Sequence, residues 1–489
     1  MYSTMEYPLR SIRAAAFTLA VSVSFSACTM APQMIQSDVA SRLPESFVEA
    51  DTHVFTAVKE ADSSAWWDMW EDPVLSALLD SALVANLDLR IAAARVMEVQ
   101  QSHRATRSAQ FPGVQLNADG NRQNTPTNLG ATGQFSSSIP GFPDRFDVTT
   151  YSASLGMSYE LDFWGKARAS SRAALSQLIA TEADYVAARM GVMSEVISTY
   201  FEIRDLQQQV RLTEEQVGLL KERLEITEDR YRRGLVSSFE WYSIQQTSDE
   251  ARAARPSVDA ALVGAYARLG VLLGTIPSQT RELVGVSDAP VSYAAPLPDE
   301  LPSELVLSRP DVIAAAARLE SARQAIGVRR AEQFPSFSLT ASGGRQSSDL
   351  GALVETSQRF WLFGGSLTAP VFAAGARRAA VKMAWAQYEQ AAAAYEKAVL
   401  TGFQEVSSSL SMFDAEHQKM EAMTSSNASA SASYETMRDR YERGVGDYVS
   451  LIDARLNELR TQGSISTATR SGALAKLTLY RALGGVWVD

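Results

Sequence analysis

The chain is written twice. Gln110-Phe111-Pro112, followed by Leu116, Ala118, Gly120, Arg122 and Gln123, returns 223 residues later as Gln333-Phe334-Pro335, Leu339, Ala341, Gly343, Arg345 and Gln346. The same offset carries Asp88 onto Asp311, the run Ala92 to Ala94 onto Ala315 to Ala317, and Arg95 onto Arg318. Downstream the offset becomes 210, which pairs Gly165 with Gly375, Arg168 with Arg378, Asp229-Arg230-Tyr231 with Asp439-Arg440-Tyr441, Arg233-Gly234 with Arg443-Gly444, and Leu273-Gly274 with Leu483-Gly484. The difference between the offsets, 13 residues, falls between Gln123 and Tyr151, where Pro126, Gly130, Gly133, Pro140, Gly141 and Pro143 predict a long loop. A solenoid would need shorter and more numerous repeats. Two copies of this size mean one structural half used twice.

Prolines are absent from Asp144 to Arg255 and from Val371 to the end, which predicts long uninterrupted elements. A net charge of -11 argues against nucleic acid, which selects basic faces. Arg10 and Arg13 precede an apolar, small-residue segment, Ala14 to Ala27, that fits a secretory signal and is too short to span a membrane. It ends at Cys28, the single cysteine, so no intramolecular disulfide is available. The position of Cys28 resembles the acylated residue of a bacterial lipoprotein, and Thr29 after it resembles the pattern for sorting to the outer membrane. The chain therefore divides into a signal peptide (1–27), a lipid-anchored extended segment (28–72), a first repeat (73–274), a linker (275–308) and a second repeat (309–489).

After the signal no apolar run of about 20 residues occurs, so a helical crossing is not offered. Strands are. From Tyr151 to Phe163 odd positions are apolar or small and even ones are polar or glycine, a period of two that puts them on opposite faces. The counterpart alternates through Trp361, Phe363, Gly365, Leu367, Ala369 and Val371, and two preceding strands alternate around Leu116 and Leu339. A half-buried soluble sheet would alternate the same way; four such strands behind a secretion signal point to a membrane. Four strands cannot enclose a lumen, so open edges predict assembly from several chains. Lys166 to Arg233 contains no proline, and Ile203, Leu206, Val210, Val217, Leu220, Leu224 and Tyr231 step as a heptad seam that helix packing alone explains.

Several further motifs resemble one family. Trp66-Trp67, Asp72-Pro73, Asn86, Asp88-Leu89 and Ala94-Arg95-Val96 resemble the N-terminal signature of the TolC-like outer membrane factors, in their lipoprotein branch. Leu301-Pro302-Ser303-Glu304-Leu305 with Arg309-Pro310-Asp311 resembles the linker motif, Tyr159 to Gly165 the exit of the second strand, and Leu479 to Trp487 the C-terminal ending. One departure stands at Pro370-Val371-Phe372-Ala373-Ala374-Gly375, where alanines replace the usual Asp-Gly or Gly-Gly and are expected to alter a strand-to-helix bend.

The resemblance implies a mainly α fold with a membrane β-barrel: a homotrimer whose chains each give four strands to a twelve-stranded barrel and long helices to a periplasmic α-barrel. Glu160 and Asp162 would then line the lumen, or merely solvate its wall. Each half closes a long helix at Asp-Arg-Tyr-x-Arg-Gly, where glycine allows the left-handed turn of a hairpin tip. By resemblance, Gly234-Leu235-Val236 and Gly444-Val445-Gly446 meet a periplasmic adaptor; Asp229 and Asp439 lie slightly above, and in copies around an axis their repulsion, balanced by Arg230, Arg440 or bound cations, is expected to form a periplasmic gate. The implied function is the passive exit duct of a tripartite efflux pump with an adaptor and an RND-type inner-membrane transporter.

Catalysis has little to stand on. His53, His103 and His417 share no metal-ligand spacing, and no phosphate loop, nucleophile elbow or paired-histidine zinc motif occurs. No cofactor is expected beyond a covalent lipid on Cys28, and the protein is not expected to be an enzyme. Two other readings remain open: a protein-secretion duct and a periplasmic coiled-coil lipoprotein.

Overall fold

In a computed structural model, which describes residues 30–33, 70–126, 143, 145–286 and 303–484, the first helix starts where a carboxylate and a proline make starting easy. Asp72 accepts hydrogen bonds from the backbone N–H groups of Val74 and Leu75 (2.9 and 3.2 Å), and Pro73 opens helix α1, Pro73–Ala85. Asn86 ends α1 and starts α2, Leu87–Ser108, by accepting from the Leu89 N–H at 3.0 Å. The motif residues Asp72-Pro73 and Asn86 are thus helix punctuation. The signal segment, Cys28, Trp66-Trp67, His53, Leu301-Pro302 and Gly485-Val486-Trp487 lie outside the described residues.

The helices then come in pairs of equal length: α2 with α6, Pro310–Ala331, at 22 residues; α3, Lys166–Arg232, with α7, Ala376–Glu442, at 67; and α4, Ser238–Leu272, with α8, Tyr448–Ala482, at 35. A short helix α5, Pro277–Val284, and a 3-10 turn, Ser303–Ser308, occupy the two ends of the linker. The repeat glycines sit where the backbone needs them, with φ of 73° and 84° at Gly165 and Gly375, 71° and 74° at Gly234 and Gly444, and 64° and 92° at Gly274 and Gly484. Pro256 lies inside α4 without ending it, so the proline-free stretches understate that helix.

Four strands, β1 Gly113–Pro126, β2 Arg145–Leu161, β3 Ser336–Ser347 and β4 Arg359–Thr368, pair antiparallel in the order β1-β2-β3-β4. The register puts Leu116 opposite Leu155, Met157 opposite Ala341, Tyr159 opposite Leu339 and Ala341 opposite Phe363, so these residues share one face. The other face carries Gln115, Asn117, Ser154, Ser158, Glu160, Ser338, Thr340 and Ser366, with Phe360 and Leu362 as apolar exceptions on β4.

Both ends of the strands differ from expectation. The ladder continues beyond Gln123 and begins before Tyr151, pairing Thr125 with Phe146 and Pro126 with Arg145, so the predicted loop is shorter. Proline is tolerated there because Pro126 is the last residue of β1, where a missing N–H ends the ladder. At the other end β2 stops at Leu161 and β4 at Thr368. Asp162, Phe163, Ala369 and Val371 are outside the strands, since Asp162 turns to cap α3 and Pro370 has no N–H to continue a ladder.

The chain divides into two compact units, each drawing on both halves. One holds the sheet and the adjoining helix ends. The other is helical, and its core joins Leu75, Leu79 and Ala82 of α1 to Val196, Ile197, Tyr200 and Phe201 of α3, Leu269 of α4 and Leu477 of α8. Tyr200 donates to Asp72 at 2.6 Å, and burial together with that carboxylate holds its phenol far above the usual range. In the same unit the buried Arg309 donates to Asp311 (2.9 and 3.0 Å), to Glu405 (2.5 Å) and to the Ala482 carbonyl (2.6 Å). That is the physical content of Arg309-Pro310-Asp311. Among the described residues no single helix is long and apolar enough to cross a membrane.

Candidate functional site

Each hairpin tip is closed by the same backbone device. After α3 the Gly234 N–H donates to the Tyr231 carbonyl and the Leu235 N–H to the Arg230 carbonyl, both at 2.8 Å; after α7 Gly444 and Val445 repeat this on Tyr441 and Arg440 at 2.9 Å. This pair of bonds is a Schellman closure, and it requires the positive φ that glycine supplies. The returning helices are capped by side chains: Ser237 accepts from the Glu240 N–H at 3.2 Å, and Asp447 from the Ser450 N–H at 3.3 Å. Leu235 and Val445 project with 70% and 68% of their surface exposed, while Val236 is half-buried. Gly446 is needed for space, because a Cβ there would stand 2.8 Å from the Tyr441 nitrogen.

The charges pair differently from the expected gate. Asp229 and Asp439 bind the arginine one turn on, Arg233 and Arg443, each at 2.8 Å. Arg230 reaches across to Asp447 of the second hairpin at 3.0 Å, and Arg440 has no ion-pair partner among the described residues. Within one chain, then, the acids pair with Arg233 and Arg443 of their own helices and not with Arg230 or Arg440. Tyr448 donates to Glu222 at 2.7 Å, and this bond, with burial second, pushes its phenol up to about 12. Tyr231 stacks on Trp241 with ring centroids 5.0 Å apart, and Tyr441 tilts against Tyr448 at the same distance. Asp447, Tyr448 and Glu222 escaped the sequence reading because their pairing crosses between helices more than 200 residues apart. Arg233 and Arg443 could have been paired with the acids from their i,i+4 spacing.

The two presumed lumen acids separate. Glu160 is on the polar face of β2, opposite Ser338, and is ion-paired with Lys166 at 2.8 Å. Asp162 accepts from the N–H groups of Ala167 and Arg168 (3.1 and 2.9 Å) and pairs with the Arg168 side chain at 3.3 Å. It holds the positive end of α3 and is not part of the strand. Cys28 lies outside the described residues, but the chain just after it is seated: Arg323 donates to the Pro32 carbonyl at 2.6 Å, Arg330 to the Met30 carbonyl at 3.2 Å, and Ala31 lies against Gly327, where a Cβ would come within 2.8 Å of its nitrogen. His417 stands beside Glu421 at 3.6 Å, and among the described residues no group of three or more His, Cys, Asp or Glu could hold a metal ion.

The outer membrane efflux protein family matches residues 78–275 and 301–485. The solvent efflux pump outer membrane protein SrpC of Pseudomonas putida is 32% identical over 86% of this chain and 87% of its own length. The probable outer membrane lipoprotein SilC of Salmonella typhimurium is 29% identical over 91% and 93%. The Campylobacter jejuni CmeC outer membrane channel has the same fold, with a TM-score of 0.82 over 94% of this chain and 95% of that one at 23% identity. A sheet with one apolar face, long helices closed by paired glycine turns, and a match spanning both repeats agree: the chain belongs to the outer membrane efflux protein family.

Proposed function

We propose that three copies assemble into the exit duct of a tripartite efflux pump, their sheets closing into a twelve-stranded barrel and their long helices forming a barrel in the periplasm. One observation carries this reading: the sheet is apolar on one face, with Leu116, Trp361 and Phe363 at 74%, 83% and 67% exposure, and among the described residues both of its edge strands lack an outer neighbour. In a bilayer, unpaired edges are excluded, and three four-stranded sheets joined edge to edge remove them. The apolar face then meets lipid and the polar face with Glu160 meets water.

In this assembly the tips form the periplasmic constriction, with Asp229, Arg230, Asp439 and Arg440 around it, and the exposed Leu235 and Val445 beside Gly234, Val236, Gly444 and Gly446 receive a periplasmic adaptor. An RND-type transporter in the inner membrane supplies the energy. The name of SrpC, a solvent efflux protein, supports small-molecule cargo, and that of SilC, a lipoprotein, supports a lipid on Cys28. The test is single-channel recording in planar bilayers, with Asp229→Ala/Asp439→Ala beside wild type. A small, cation-selective conductance that grows in the variant is expected. A stable trimer that stays silent in every variant overturns the gate, and a monomer that does not insert overturns the duct.

A further inference from the structure

This inference rests on the duct reading and concerns what surrounds the sheet. Each strand carries one arginine and no lysine: Arg122 on β1, Arg145 on β2, Arg345 on β3 and Arg359 on β4. The register puts all four on the apolar face, in line with Leu116, Leu155 and Phe363, and none on the polar face, where Asp119 and Glu160 stand. A cation seeking only water would sit on the polar face. In the duct the apolar face meets lipid, where an arginine is costly unless it stands at headgroup level.

Two of the four are answered within the sheet. Arg122 pairs with Asp147 at 3.6 Å, and Arg145 donates to the Asn124 side chain and, at 3.4 Å, to its carbonyl. The other two oppose each other. Arg345 and Arg359 are direct partners in the β3–β4 ladder, so their side chains leave the same face side by side, and like charges so placed repel. Arg345 donates to the Val354 carbonyl, which ties its guanidinium to the connecting loop, and Arg359 is exposed. Among the described residues neither has a carboxylate partner. The two acids of that loop, Asp349 and Glu355, accept instead from the Gly351 N–H at 2.7 Å and the Ser357 hydroxyl at 3.4 Å.

Their height on the sheet names what they meet. Arg345 stands eight residues beyond Phe337, which lies at the helical end of β3. That is about 26 Å along the strand and about 20 Å in height at a tilt near 40°, close to the outer edge of an apolar band about 25 Å tall. Trp361, opposite Gly343, lies on the same face just below the pair and is exposed. We propose that Arg345 and Arg359 form a site for a phosphate-bearing lipid of the outer leaflet, its phosphate held between the two guanidinium groups and its acyl chains against Trp361 and Phe363. Guanidinium forks match phosphate oxygens, and the shared anion removes the repulsion between the arginines. The occupant is a lipid and not free phosphate, because the site opens onto the apolar band and away from the polar face.

The test uses the purified full-chain oligomer in detergent, with bound lipid counted by native mass spectrometry. The probes are diphosphorylated lipid A, the same lipid with its phosphates removed, and inorganic phosphate. Wild type should bind the diphosphorylated lipid roughly tenfold more tightly than the dephosphorylated one and keep it in excess inorganic phosphate. Arg345→Gln/Arg359→Gln should lose that preference. Arg104→Gln/Arg107→Gln, the same change of charge at exposed positions on α2, should keep it. An undiminished preference in Arg345→Gln/Arg359→Gln overturns the inference, as does displacement of the lipid by inorganic phosphate or equal binding of the two lipids by wild type. Should that double variant fail to assemble, the two wild-type comparisons decide the matter. A conducting oligomer without the preference overturns the site and leaves the duct standing. A monomer that does not insert overturns the duct itself.

Discussion

The helical core and the sheet are made by one chain and completed to different degrees. Around α1, Leu79, Ile197 and Phe201 are almost wholly covered, with Tyr200 hydrogen-bonded to Asp72 and the Asn86 amide to the Leu272 carbonyl at 2.9 Å. The sheet keeps Trp361 and Phe363 outside, and β1 and β4 show open edges. The contrast follows from where each element finds its hydrogen bonds. A helix satisfies its backbone within itself and needs company only for its apolar stripe, whereas a strand needs a neighbour on both sides. Helices can therefore be finished by one chain, and a four-stranded membrane sheet needs further strands.

The sharpest way to break this comparison is to charge the outward face. Phe363→Arg should cost about 2–4 kcal/mol per copy at mid-membrane depth, and any assembly multiplies that cost by its number of copies. Detergent-resistant oligomer in the outer-membrane fraction should fall to background while far-UV circular dichroism of the purified chain keeps its helical signal. Leu79→Ala should do the opposite. It removes a side chain with no exposed surface from the helical core and should cost about 3 kcal/mol, lowering the helical melting point in detergent and in bilayers alike. If Phe363→Arg lowered that melting point as much as Leu79→Ala, the two regions would not be separable as described.

Arg309 probes the finished region by its charges. Arg309→Ala leaves the Ala482 carbonyl and two carboxylates without their donor, and because Asp311 and Glu405 are half-exposed the loss should be about 2 kcal/mol, below the range for a fully buried pair. The same contact predicts a pH dependence. Burial raises the Asp311 carboxyl, but the Arg309 hydrogen bonds and charge, with the Val312 N–H, more than offset that and hold it below the ordinary carboxylate value. A group depressed in the folded state stabilises above its unfolded value, near pH 4, and loses that contribution as pH falls through the folded value. Wild type should lose melting temperature below about pH 4 more steeply than Arg309→Ala; parallel curves would refute the assignment.

Much of this was legible in the residues. Period-two alternation located all four strands, and their apolar faces follow from it, because side-chain direction along a strand is set by the backbone alone. The repeat located the glycine turns for the same local reason. What escaped depended on partners distant in sequence or on competing local geometry. Asp162 continued the alternation of β2 by position, yet the N–H groups at the start of α3 compete for its carboxylate and win. Arg230 and Arg440 were expected to balance Asp229 and Asp439, yet neighbours one residue apart on a helix face different ways, and within the chain the arginines one turn on take the acids. Arg230 could not be assigned to Asp447 without knowing that α3 and α8 lie side by side.

The smallest effect concerns the strand-to-helix turns that close the sheet in each half. Gly165 and Gly375 both adopt positive φ, but in the second half Ala374 is forced there as well, at φ 46°, where the first half has Trp164 in ordinary backbone. At these alanines, where an altered bend was expected, Ala374 takes a left-handed conformation that Trp164 does not, with strain stored in it. An L-residue in the left-handed region costs roughly 1 kcal/mol, and glycine removes that cost while losing some entropy in the unfolded chain. Ala374→Gly should therefore stabilise by about 0.5 kcal/mol, read as a slightly higher unfolding midpoint, whereas Gly165→Ala should destabilise by about 1 kcal/mol. Opposite signs at two turns of the same repeat would show that the second half tolerates a local strain that the first avoids. Equal signs would mean that the neighbouring chain contacts, and not the backbone, set the turn.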